Sequence, residues 1–198
     1  MSLVYGIGIN NQEIPSRVNG KQTKEYKLWC RMLERCSNKY WDKFPTYIGV
    51  TCSDNFKTYS YFYKWCHKQK GFAYKDDKEN SWHLDKDLLI KGNKHYSEDT
   101  CVFIPHRLNC ILIKSDSTRG VYPVGVYFCK NDSKFKAQCK VGTGSQKHLG
   151  YFNTAQDAFI AYKTFKELYI KQLADEYKSQ IDHRAYHALL SYKVEITD

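Results

Sequence analysis

Between Ser81 and Asn109 the chain sets His83, Asp85, Asp87, Asn93, His95, His106 and Asn109 into one short run, SWHLDKDLLIKGNKHYSEDTCVFIPHRLN. These residue types could hold a divalent cation and activate water. An imidazole accepts a proton from water near neutral pH. Carboxylate and carboxamide oxygens suit a hard divalent cation, and such a cation with open positions polarises a phosphate. Each residue also has a plainer use. A histidine among aromatic and aliphatic neighbours is more often a hydrogen-bonded surface group, and Asp85 and Asp87 around Lys86 read as a solvated strand face. Asn93 suits a turn and Asn109 a helix end. Only the joint spacing points to a site.

Something must position these groups. Leu84, Leu88, Leu89 and Ile90 predict a half-buried strand. Lys91-Gly92-Asn93-Lys94 reads as a turn, because Gly and Asn accept a positive φ. Ser97-Glu98-Asp99-Thr100 has the chemistry of a helix start. However, Cys101 to Ile104 is β-prone and Pro105 interrupts it, which predicts a short second strand and a helix from near Pro105. The expected succession is strand, loop, strand, helix.

The motifs LDKDLL, GNKHYS and TCVFIPHRLN resemble the ββα-metal module of the His-Asn-His (HNH) endonucleases, in a variant met in phage-encoded homing-type proteins. Two further stretches, Trp29 to Cys36 and YFYKW, extend the resemblance over most of the first 110 residues. It implies Asp85 and Asn109 as ligands of one divalent metal, Mg²⁺ or Mn²⁺. His83 would be the general base that activates water, and Asn93 would orient the loop or the base. The chain departs from the family where the residue before the histidine is usually a ligand, since Trp82 stands there. Aligning Asp85 with that ligand puts Lys86 in the place of the base, and His95 and His106 are the other imidazoles within reach.

Lys and Arg outnumber Asp and Glu by 31 to 21, for a net charge of +10, and aromatics make up 16% of the chain with 17 Tyr. Basic charge interleaved with polar-tipped rings suits a nucleic-acid backbone and groove. A basic protein without such a partner has the same composition. No stretch approaches the roughly 18 apolar residues of a membrane span, and no basic segment followed by an apolar run opens the chain. With the phage-type resemblance, this places the protein in the cytoplasm of a bacterial host. The eight cysteines form no C-x-x-C pair and read as reduced, packed thiols. A structural zinc built from Cys52, Cys66, His67 and Cys110 has little support in the spacing and is not expected.

Residues 1–22 read as an irregular arm. Trp29, Met32, Leu33 and Cys36 recur at helical spacing and predict a helix from Thr23 to Cys36. Residues 37–53 read as a loop ending in a short strand. Asp54 is the expected cap of a second helix to about Lys68, with Phe56, Tyr59, Phe62, Tyr63 and Cys66 inward. These helices are core before they are function.

Residues 111–119 read as a linker. Beyond it Val124 to Lys130, Phe135 to Val141 and Lys147 to Phe152 are β-prone runs separated by turns. Thr154 then caps a long helix to about Lys178, with Ala158, Phe159, Tyr162, Phe165 and Tyr169 on its inner face. Such a sheet, covered by a helix on one side, leaves a face free to enter a DNA major groove. A last helix, between Ile181 and Tyr192, is assigned to packing or to an extra DNA contact.

This second part is similar to the Apetala/ethylene-response-factor type of DNA-binding domain, which also occurs fused to phage HNH nucleases. The matching residues are Gly125-Val126, Phe135-Lys136-Ala137, Leu149 to Phe152, Thr154 to Ala158 and Ala161-Tyr162. The resemblance implies that Tyr127, Lys134, Gln138, Lys140, Gln146 and His148 face DNA, with Lys134, Lys140 and Lys147 on phosphates. The plant proteins carry several Arg and Trp there, so their base preference does not carry over.

The expectation is an α+β protein: N-terminal helices with a ββα-metal module in 1–110, a linker in 111–119, a three-stranded antiparallel sheet packed on one long helix in 120–178, and a C-terminal helix in 179–198. Its expected activity is that of a monomeric, homing-type endonuclease cutting double-stranded DNA with a single divalent metal. The alternatives are a sequence-specific DNA-binding regulator with an inactive HNH-like module, and a small-ligand or protein-binding module.

Overall fold

The computed structural model describes residues 3–76, 79–113, 120–142 and 144–196, so most of the expected linker lies outside the described residues. The fold is mixed α+β. It divides into two compact units, Met1–Lys75 with Leu84–Phe103 and Asp76–His83 with Ile104–Asp198. The chain thus passes between the units after residues 75, 83 and 103.

In the first unit, helix α1 (Lys24–Arg35) starts where Thr23 accepts a hydrogen bond from the Tyr26 N–H. Its Trp29, Met32 and Leu33 are fully buried, as the spacing predicts. Trp29 also donates its indole N–H to the Phe56 carbonyl at 2.7 Å, so its polar edge is satisfied inside the core. Each such side chain contributes about 1.5–3 kcal/mol through removal from water.

The second helix starts later than Asp54. Asn55–Lys57 form one 3₁₀ turn, Thr58 is extended, and helix α3 spans Tyr59–Lys68. The N-terminal arm causes the break: Ile9 donates to the Lys57 carbonyl and accepts from the Tyr59 N–H, taking backbone groups a continuous helix would need. Asp54 pairs with Lys57 at 2.7 Å and caps nothing. Trp65, not Tyr63, joins Phe62 and Cys66 inside.

The arm is ordered rather than irregular. Strands β1 (Arg17–Val18) and β2 (Lys21–Gln22) form a hairpin whose Asn19 and Gly20 both have positive φ, as a two-residue turn requires. Residues 37–53 contain a short helix, α2 (Asn38–Lys43), fastened where Trp41 donates to the Arg35 carbonyl. Strand β3 (Thr51–Cys52) then pairs in parallel with β5 (His95–Tyr96).

The run of interest begins with β4 (His83–Asp85), which pairs with β6 (Val102–Ile104). Helix α4 (His106–Leu112) follows Pro105. Strand, loop, strand and helix therefore succeed one another as expected, but β4 ends at Asp85 instead of reaching Ile90. The Asp85 carboxylate accepts from the backbone N–H groups of Asp87 and Leu88, turning the chain out of the extended conformation.

The second unit is built on an antiparallel sheet in the order β7 (Val126–Cys129), β8 (Lys134–Lys140), β9 (Gln146–Phe152). Helix α5 (Ala155–Tyr177) covers one face, its N-terminus capped by Thr154. Val126, Ala137 and Cys139 pack against Ala158, Phe159 and Tyr162, and Val194 joins this core from beyond helix α6 (His183–Leu190). Gly125, at φ +78°, lies flat against the Tyr162 ring with no room for a Cβ. Phe165 and Tyr169 are only half-buried. Lys166 takes an inner position of α5, its stem buried and its ammonium donating to the Tyr162 hydroxyl at 3.1 Å. Among the described residues no helix is long and apolar enough to cross a membrane.

Candidate functional site

The free face of the sheet follows from the alternation of β8. Ala137 and Cys139 are buried and Phe135 is packed beneath them, so Lys134, Lys136, Gln138 and Lys140 point the other way. Register adds the flanking strands. Lys136 lies between Tyr127 on β7 and Tyr151 on β9, Gln138 opposite His148, Lys140 opposite Gln146 and Lys134 opposite Cys129. The His148 and Tyr151 rings lie 4.9 Å apart. Tyr127 and Tyr151 are half exposed. A bulge between Ala137 and Gln138 shifts the register, which places His148 rather than Leu149 beside Gln138.

All six positions expected to face a nucleic acid, Tyr127, Lys134, Gln138, Lys140, Gln146 and His148, thus share one face with Lys136 and Tyr151. None of these side chains is acidic. Lys136 and Tyr151 were absent from the expected set, although the i, i+2 spacing of Lys134, Lys136, Gln138 and Lys140 marks the first of them. Lys147 lies opposite the buried Cys139, hence on the helix side of the sheet edge and off this face. Beside Gly125, a cavity of ≈ 80 Å³ opens among Gln138, Gln146, Cys110 and Ile111.

The residues singled out between Ser81 and Asn109 are divided between the units. In the first unit, burial, with the Asp87 charge beside it, pushes the Asp85 carboxyl up to about 6, against the opposing pull of the Leu88 and Asp87 N–H bonds. Asn93 spends its side chain on the loop: its amide nitrogen donates to the Lys86 and His95 carbonyls at 2.6 and 2.7 Å, and its oxygen accepts from the His95 N–H. Its carboxamide orients the loop backbone. Lys86 donates to the Asn93 carbonyl at 2.8 Å and sits 3.5 Å from the Asp87 carboxylate. His95 is exposed and bonded to the Thr51 hydroxyl.

In the second unit, His83 meets His106: His106 Nδ1 lies 2.9 Å from His83 Nε2, with the rings 29° from parallel. Cys110, one turn further along α4, brings its Sγ to 3.4 Å from His106 Nε2. Asn109 is half-buried on the same helix, and its carboxamide makes no hydrogen bond among the described residues. Trp82 is buried, with its ring edge-to-face against Tyr177.

Among the described residues, no three His, Cys, Asp or Glu side chains gather as a ligand group. Cys52 and Cys66 are buried thiols of the first unit, and His67 is exposed and paired with Glu25 at 3.0 Å. Of the two residues expected to hold a metal, Asp85 offers a carboxylate in the first unit and Asn109 a carboxamide oxygen in the second. Comparison with family models, with curated proteins and with solved structures finds no match.

Proposed function

We propose that this chain binds double-stranded DNA through the free face of its β7–β9 sheet and cleaves it as a site-specific, metal-dependent endonuclease. The single observation that carries the DNA-binding half is the face itself. Three lysines, two glutamines, a histidine and two tyrosines stand on one side of a three-stranded sheet, with no carboxylate among them. Lysines neutralise phosphates, Gln and Lys suit the donor and acceptor pattern of the major groove, and a strand ribbon fits its width.

The cleavage half rests on residue chemistry in the ββα-metal resemblance. Asp85 and Asn109 offer the oxygen donors that Mg²⁺ or Mn²⁺ prefers, and His83 offers a base. A divalent ion held by such donors would supply charge stabilisation at the scissile phosphate. His83 would accept the proton of the attacking water, and Asn93 would hold the loop that carries Asp85.

A second reading keeps DNA binding and drops cleavage, making the protein a regulator. It is favoured by the commitment of Asp85 and Asn93 to their own backbone and by the burial of Trp82. One experiment separates the two. The purified protein is incubated with a pool of genomic DNA fragments, with Mg²⁺ and with EDTA, and new ends are sequenced. Reproducible ends that require the metal are the expected result. Retention of particular fragments without new ends establishes the regulator instead.

A further inference from the structure

The free face of the sheet contains two kinds of position. Lys134 and Lys140, at the ends of β8, are exposed, whereas Lys136 and Gln138, between them, are half-covered by their neighbours. An antiparallel strand advances about 3.4 Å per residue, so the end lysines stand roughly 20 Å apart and the middle pair about 7 Å apart. The major groove of B-DNA is about 12 Å wide. A strand that enters this groove is longer than the groove is wide, so its two end ammonium groups come towards the phosphates of the walls and its two middle side chains lie over base edges.

The surroundings agree with this division. Tyr127 and Tyr151 stand on either side of Lys136, and His148 stands beside Gln138 with its ring against Tyr151. Cross-strand neighbours about 5 Å away restrict the rotamers of the middle pair. A restricted donor pairs with a base at a fixed place, whereas phosphate contact needs only charge and reach.

We propose that Lys136 and Gln138 are the base-reading pair of this face and that Lys134 and Lys140 hold the backbone on either side. Lys136 donates to the O6 and N7 acceptors of a guanine, and Gln138 makes the paired bonds to N6 and N7 of an adenine. This rests on the DNA-binding reading of the sheet and is independent of cleavage.

The test uses the full-length chain in EDTA. Wild type selects its sites from a randomised duplex pool. Affinities for the selected duplex and for an unrelated duplex are then measured against salt for Lys136→Ala, Gln138→Ala, Lys134→Ala and Lys140→Ala, with thermal melts checking the fold. Lys136→Ala and Gln138→Ala are expected to lower the ratio of specific to non-specific affinity by roughly 5- to 150-fold and to alter the selected sequence. Lys134→Ala and Lys140→Ala are expected to weaken both duplexes alike and to reduce the slope of log affinity against log salt by about 1. A uniform loss in all four variants with an unchanged selected sequence overturns the assignment while DNA binding stands. Absence of salt-dependent DNA binding by the wild type overturns the DNA-binding reading and this assignment with it.

Discussion

His106 Nδ1 and His83 Nε2 lie 2.9 Å apart, so one imidazole donates to the other and the pair fixes complementary tautomers. Within the proposed cleavage reaction this makes His106 the residue that orients the base. His83→Ala is expected to slow Mg²⁺-dependent cleavage by about 10²- to 10⁴-fold at saturating DNA, the range for loss of a general base. His106→Ala should cost less, and His106→Gln should recover part of the loss because a carboxamide retains both a donor and an acceptor. Single-turnover rates, measured with DNA affinity as the control, decide this. A His83→Ala protein that cuts at the wild-type rate removes His83 from the reaction.

Asp85 serves both the fold and the proposed chemistry, and two substitutions separate these roles. Asp85→Ala loses the acceptor for two backbone N–H groups and should destabilise the chain by about 1–3 kcal/mol as well as abolishing cleavage. Asp85→Asn keeps an acceptor and should abolish cleavage with the turn intact. The carboxyl is raised from 3.8 to about 6 in the folded chain, so its ionised form is penalised in the native state. That penalty is absent below pH 3.8 and complete above about 6. In EDTA, Asp85→Asn should therefore melt above wild type at pH 8 and level with it near pH 3.5. A melting gap that does not narrow on acidification is the contrary outcome.

Several elements were legible because a single local rule governs each of them. The helical spacing of Trp29, Met32 and Leu33 predicts α1, Pro105 divides β6 from α4, and Thr154 opens α5. Alternation along β8 gives the two faces of the sheet. What escaped depends on partners distant in sequence. The Ile9 backbone interrupts a helix at residues 57–59, Thr51 pairs in parallel with His95, and His83 finds His106 across 22 intervening residues. The end of β4 is local yet was missed, because the Asp85 side chain competes with the strand for backbone N–H groups and leaves the hydrophobic pattern unchanged.

Gly125 should tolerate no side chain. Its φ of +78° is strained for any L residue, and a Cβ there would run into the Tyr162 ring. Its carbonyl also accepts from the Gln138 N–H at 2.9 Å, where the register shifts. Gly125→Ala is expected to cost about 2–4 kcal/mol, combining positive-φ strain with overpacking. Since Gln138 is tied to that carbonyl, DNA selectivity should fall together with stability. Urea unfolding measures the first effect, and competition between selected and unrelated duplexes the second. A variant as stable as wild type would mean that the start of β7 can shift away from Tyr162.

Glu167 fastens the C-terminal segment to α5. Its carboxylate accepts from the Val194 N–H at 3.0 Å and from Lys193 Nζ at 3.2 Å, with Lys163 Nζ at 3.4 Å. Burial by itself would raise its pKa, but the bonds from Val194 and Lys193 and the two lysine charges hold it below its usual 4.5. A depressed acid contributes stability that is fully present above its unfolded pKa and is lost as pH falls through the folded value. Val194 is wholly buried in the same core as Val126 and Ala137, so loosening this segment should weaken the sheet unit. Glu167→Gln keeps an acceptor for the Val194 N–H and removes the charge. It should cost about 1 kcal/mol at pH 7, and the gap from wild type should narrow as the pH falls through the depressed pKa of Glu167. Thermal melts of both proteins from pH 3 to 7 read this directly. A gap that is constant across that range would show that the ionised carboxylate does not hold the segment.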